Sequence, residues 1–189
     1  GVDYIEGGWP GANPTDDNFF KKISHQSKSR LVAFGMMRKS GKSANNDPGL
    51  NAVLNSGVSS VCLVGKTWDF HVKNALRVSY TENLDMISDS ISYASKRIDE
   101  VMFDAEHFFD GFKNNKRYSI NILKRALQSG AKWIILCDTN GGTLPYELPD
   151  IINEVKKTIP KDRLGVHFHN DTDNATYNSL EAARLGVKQ

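Results

Sequence analysis

Apolar and polar positions along this chain alternate between two periods. Short apolar or alternating runs, as strands require, are each followed by residues recurring three or four apart, as helices require. A strand is predicted over residues 3–8, then the turn-rich loop Trp9-Pro-Gly-Ala-Asn-Pro14, then a helix capped by Thr15 with Phe19, Phe20 and Ile23 on one face. Residues 30–35 read as a buried strand, 36–46 as a polar loop, and Asp47-Pro48 as the start of a helix bearing Leu50, Val53 and Leu54. The pattern repeats with a strand at 59–65 and a mostly helical 66–98 striped by Leu84, Ile87 and Ile91. Next come a strand at 100–106, a helix at 118–129 closed by Gly130, and a strand at 132–138. Pro145 opens a helix carrying Leu148, Ile151, Ile152, Val155 and Ile159; a strand through Leu164, Val166 and Phe168 and a helix at 173–185 finish the chain.

Strict strand-helix alternation implies an α/β protein with a parallel sheet wrapped by helices. Most strands end in residues capable of chemistry: Glu6, Lys66, Asp104 with Glu106, Asp138 with Thr139, and His167 with His169. An open doubly wound sheet gathers its ligands at one switch point, whereas a closed barrel brings every strand's carboxyl end to one mouth. The even spread of polar endings favours the barrel. The run Asn140-Gly-Gly-Thr143 lacks the spacing of a nucleotide loop.

His167 and His169 alternate with Val166 and Phe168, so on a strand both imidazoles emerge on one side and form a pincer for a divalent cation. Core histidines bonded to their neighbours are the alternative. Asp104 and Glu106 share a face in the same way, and two close carboxylates raise the proton affinity of one. Asp138 reads as a carboxylate that organises a loop. Trp9 and Trp68 read equally well as walls of the mouth or as packing, and His71 and His107 as packing or surface residues.

The totals narrow the classes. With 189 residues, 39% hydrophobic and 24% charged, the chain has a globular composition able to bury a large core. Lys+Arg 24 against Asp+Glu 22 leaves a net charge of +2 and no case for a nucleic-acid partner. The basic groups at 21–22, 38–42 and 113–117 read as solvated faces. No run approaches the roughly 18 apolar residues of a membrane helix, so no membrane is expected. Cys62 and Cys137 sit within apolar runs and read as buried thiols in a reducing compartment; a cytoplasmic protein is the expectation.

Several stretches carry a family resemblance over nearly the whole chain. Tyr4-Ile-Glu-Gly-Gly-Trp-Pro-Gly-Ala-Asn-Pro14, Gly65-Lys-Thr-Trp-Asp-Phe-His-Val72, Phe103-Asp-Ala-Glu-His-Phe-Phe-Asp-Gly111, Leu136-Cys-Asp-Thr-Asn-Gly-Gly-Thr-Leu-Pro145 and His167-Phe-His-Asn-Asp171 resemble the citramalate synthase family. That family is grouped with isopropylmalate synthase, homocitrate synthase and the hydroxymethylglutaryl-CoA lyases. The resemblance implies a TIM (β/α)8 barrel, here partial, with about strands 2 to 7 and their helices making one catalytic domain over residues 1–189 and the first and last strand segments lacking. Such an incomplete barrel leaves two open strand edges. The resemblance further implies an acyltransferase that joins acetyl-CoA to pyruvate, giving citramalate and CoA on a route to isoleucine. Its divalent metal (Mn, Mg, Zn or Co) would be held by His167 and His169, while the aspartate and asparagine the family adds from its first and last strands have no counterpart here. Thr139 would bind the substrate carboxylate, with a turn or capping threonine as the alternative. Glu106 would bind substrate and take or relay a proton, with a structural ion pair as the alternative. The full-length protein is expected to be a homodimer. Isopropylmalate or homocitrate synthesis from another 2-oxo acid stays open, as does a noncatalytic fragment or metal-binding scaffold.

Overall fold

The structure is a computed structural model that describes residues 1–22 and 28–189. Six strands form one sheet: β1 (Tyr4–Gly8), β2 (Arg30–Met36), β3 (Ser60–Lys66), β4 (Glu100–Glu106), β5 (Trp133–Asp138) and β6 (Leu164–Phe168). All neighbours run parallel and strand order follows chain order from β1 to β6. That order has no switch point and is the order of a barrel wall, as the spread of polar strand ends predicts. Past β6 the pairing continues: the Val166 N–H donates to the Gln189 carbonyl at 2.9 Å and the Lys188 N–H to that of Leu164 at 3.1 Å.

The two faces of the sheet separate the strand residues by parity. Ala33, Val61, Leu63, Val101, Phe103, Ile134, Leu136 and Leu164 point outward into the main core beneath the helices. Val32, Cys62, Met102, Ile135 and Cys137 point inward and form a second cluster with Tyr4, Phe34 and Trp133. Helices Pro14–Lys22, Pro48–Leu54, Tyr80–Ala94, Phe108–Gln128, Leu148–Val155 and Ala175–Arg184 cover the outer face.

Strand bounds agree with the sequence reading to within a residue or two, and the helices depart from it at specific points. Asn13, not Thr15, caps the first helix, its side-chain oxygen accepting the Asp16 N–H at 3.0 Å. Ile23 lies outside the described residues. Asp47 caps the second helix through the Leu50 N–H, as expected. The segment 66–98 is less continuous than predicted: a turn at Asp69–His71 and a π-turn at Val72–Leu76 end at Arg77 in the left-handed region, and Ser79 caps the helix Tyr80–Ala94. The following helix begins at Phe108, ten residues before the predicted start at 118, with a break at Asn115. Its first part carries Asp110, Asn114 and Gly111, residues that read as a loop. Glycine is needed there because a Cβ would lie 2.5 Å from the Thr67 carbonyl oxygen. The helix expected from Pro145 to Ile159 is regular only over Leu148–Val155.

At the amino ends of the strands one carboxylate joins most of the wall. Glu100 opens β4 and accepts the Tyr4 hydroxyl of β1 at 3.0 Å, Arg30 Nη1 of β2 at 2.7 Å, the Ser60 hydroxyl of β3 and Trp133 Nε1 of β5, each at 3.2 Å. Burial pushes this carboxyl up, but the bonds from Arg30, Tyr4, Trp133 and Ser60 outweigh burial and hold it below its ordinary 4.5. Because the lowered value belongs to the folded state, the stabilisation is complete above the unfolded value of 4.5 and is lost as pH falls through the folded one. Replacing Glu100 by Gln should therefore cost about 2 kcal/mol at neutral pH. In urea unfolding, the difference between wild type and variant should shrink as pH falls below 4.5; a constant difference would exclude this role.

Candidate active site

A second set of inward polar side chains gathers at the carboxyl ends of the strands, around a cleft of about 390 Å³. Glu6, Lys66, Asp104, Glu106, Thr139, His167 and His169 line it together with Trp9, Phe34 and Cys137. A larger depression of about 620 Å³ opens at the opposite end, lined by Asp3, Tyr4, Lys28, Arg30, Trp133, Lys188 and Gln189. Its charged lining is mostly cationic, with Lys28, Arg30 and Lys188 against Asp3, and barrel enzymes place their chemistry at the carboxyl end.

Parity and register account for the assembly. In β6, His167 is level with Cys137 of β5, and His169 follows just past the strand end. The two imidazole centroids are 5.1 Å apart. Asp104 Oδ2 of β4 lies 4.0 Å from His167 Nδ1. One ligand atom each of Asp104, Cys137 and His167 fall within 4.8 Å of one another. An imidazole nitrogen, a carboxylate oxygen and a thiol are donors suited to a divalent cation, so Asp104, Cys137 and His167 fit the metal that the resemblance implies, with His169 lining the same cleft outside that group of three. The Asp104 carboxylate raises the proton affinity of His167, with burial opposing it. Burial, and then the Asp104 charge, raises the proton affinity of Glu6. Asp104 faces His167, and Glu106 pairs with Lys66 at 2.5 Å.

Glu106 ends β4 beside Lys66, its register partner on β3. The Thr67 N–H and hydroxyl both donate to the Glu106 carbonyl, at 3.1 and 2.5 Å. The chain then turns through His107, whose φ of 55° is left-handed. The His107 N–H donates to Thr139 Oγ1 at 2.9 Å, so Thr139 is a turn-holding residue and its hydroxyl proton remains to be donated. Asp138 organises the next loop, accepting the Gly142 and Thr143 N–H groups at 3.2 and 2.9 Å.

His71 and His107 are packing residues, their rings edge to face at 4.3 Å beside Trp68. Burial, then the charges of His107 and Lys66, lowers the proton affinity of His71. Trp9 lines the cleft; Trp68 packs on the two histidines. Cys62 and Cys137 are buried free thiols on the inner wall, and burial together with Asp104 lifts both well above the usual range. Sequence reading missed the Lys66–Glu106 pair, although both residues end adjacent strands and equal strand lengths would have placed them level.

These features define a class: a partial TIM barrel whose mouth presents histidine and carboxylate donors for a divalent cation. The HMGL-like family model matches residues 1–189, and the chain belongs to that family. It is 48% identical over its full length to an (R)-citramalate synthase of Geobacter sulfurreducens and 44% to that of Aquifex aeolicus. A 2-isopropylmalate synthase of Prochlorococcus marinus is 30% identical, also over the full chain. The chain spans 36% of the length of the first two relatives and 35% of the third. Solved hydroxymethylglutaryl-CoA lyases from Pseudomonas aeruginosa and Bacillus subtilis share the fold, with TM-scores of 0.78 and 0.82 at 20% and 18% identity. Each alignment covers 99% of this chain, and 62% and 63% of the two lyases respectively. Among the described residues no helix is long and apolar enough to cross a membrane.

Replacing Thr139 by Val should strand the His107 N–H and lower stability by about 1–3 kcal/mol, whereas Ser should retain most of the wild-type value. Thermal unfolding of the two variants checks this, and equal midpoints would rule it out.

Proposed function

We propose that this chain is the metal-binding part of the catalytic barrel of a citramalate synthase, an acyltransferase that condenses acetyl-CoA with pyruvate to give citramalate and CoA on a route to isoleucine. The observation that carries the reading is the convergence of His167, His169, Glu106 and Thr139 on one cleft. Higher identity to relatives named citramalate synthase, 41–48%, than to those named 2-isopropylmalate synthase, 30–31%, supports pyruvate as the 2-oxo acid. The full-length protein is taken to work in the cytoplasm as a homodimer.

His167 and His169 would hold the divalent metal, Mn, Mg, Zn or Co, and Asp104 is the carboxylate beside His167. When bound, the metal supplies Lewis-acid polarisation of the 2-oxo carbonyl. Thr139 donates its hydroxyl to the substrate carboxylate. Glu106 takes the proton leaving the acetyl methyl group as the new carbon-carbon bond forms. Thioester hydrolysis then releases CoA and makes the condensation irreversible. Trp9 and Phe34, stacked edge to face at 5.5 Å, wall the cleft and limit water.

The test mixes the intact protein with acetyl-CoA, Mn and a panel of 2-oxo acids and follows free thiol release. Pyruvate-dependent release is expected; release only with a branched 2-oxo acid would move the chain to the isopropylmalate branch, and none with any acid would refute the reading. His167→Ala should lose both metal binding, by calorimetry, and turnover.

A further inference from the structure

We propose that Lys66 is a positioning residue: its ammonium holds one oxygen of Glu106, so that the other faces the acyl-thioester methyl group. This rests on the reading above, in which Glu106 takes the methyl proton.

Lys66 Nζ makes its closest contact with Glu106 Oε2, and among the described residues no other side chain is seen to pair with that carboxylate. One oxygen is thus clamped and the other left to accept a proton. The backbone beneath the pair is held on both strands. Thr67 donates its N–H and hydroxyl to the Glu106 carbonyl, and its own carbonyl accepts the Ser119 hydroxyl at 3.1 Å. His107, immediately after Glu106, is tied to Thr139. Lys66 and Glu106 are also mostly shielded from water, with side chains 17% and 23% exposed, so their attraction is screened less than that of a surface pair. Among the described residues lining the cleft, Lys66 is the one lysine or arginine, against the carboxylates Glu6, Asp104 and Glu106. Elsewhere Arg30 joins Glu100 at the opposite end of the strands, Arg38 joins Glu82 and Asp89, and Lys113 joins Glu147, all away from the cleft.

A double-mutant cycle in the intact protein tests this, with steady-state kinetics on acetyl-CoA and pyruvate. Lys66→Met should lower kcat about 100-fold with KM for pyruvate nearly unchanged, the scale expected when a reacting group is misplaced by about an ångström. Lys66→Arg should recover most of the loss by keeping a cation at the same oxygen. Glu106→Gln should itself lower kcat by about 10² to 10⁴. Adding Lys66→Met to Glu106→Gln should then cost nothing further, because residues that act as a unit are not additive. The thermal midpoint of Lys66→Arg and the Mn affinity of both variants should stay near wild type, and Lys66→Met should keep the wild-type circular dichroism spectrum at the assay temperature, separating positioning from misfolding. Wild-type kcat in Lys66→Met, a loss confined to KM, or losses that multiply in the double variant would each overturn the inference while leaving the role of Glu106 intact. Full activity in Glu106→Gln would remove that role and this inference together.

Discussion

Glu100 is the residue on which the wall of this barrel depends. Its carboxylate is almost wholly buried, a position that would be strongly unfavourable if it were not filled with donors from four other strands. Each donor fixes the height of its strand relative to β4. Because the side-chain period along a strand is two, a slip of one residue on any strand would turn its inward set outward. The network at one end therefore sets which side chains appear at the other. Tyr4 and Glu6, Ser60 and Lys66, and Glu100 and Glu106 share parity along β1, β3 and β4. The polar mouth is thus held in register by a polar base, with an apolar belt of Val32, Cys62, Met102 and Ile135 between them.

The sheet was legible because it is buried on both faces. Strands such as Ser60–Lys66 and Trp133–Asp138 read as short apolar runs, and the polar residue that ends each marks the mouth. The segments between strands were harder. Phe108–Gln128 was read short because its first turns carry Asp110, Gly111 and Asn114, which local preference assigns to loops. Tertiary packing overrides that preference: Phe108 and Phe109 are fully buried, and Asn114 donates to Asp69 at 2.7 Å. The Arg77 and His107 turns use left-handed backbone at non-glycine residues, which no sequence pattern announces.

The site was legible in part. The His-x-His strand placed two imidazoles on one face, and the structure brings them to one cleft with Glu106 and Thr139. The partners of those residues were not legible, since Lys66 lies forty residues before Glu106 and Thr139 thirty-two after His107. Only strand order and register make them neighbours. The HMGL-like family model covers the whole chain, and its relatives carry two different synthase names. In such a family the wall is shared and the lining distinguishes one member from another.

The two thiols on the inner wall carry a consequence for oxidative chemistry. Peroxides and electrophiles attack the thiolate, and both Cys62 and Cys137 are kept protonated by burial and by the neighbouring Asp104 carboxylate. Sulfenic acid formation and alkylation are thereby slowed within the very wall that faces the cleft. Buried thiols of this kind are a weaker guide to redox surroundings than exposed ones, because their burial already limits their reaction.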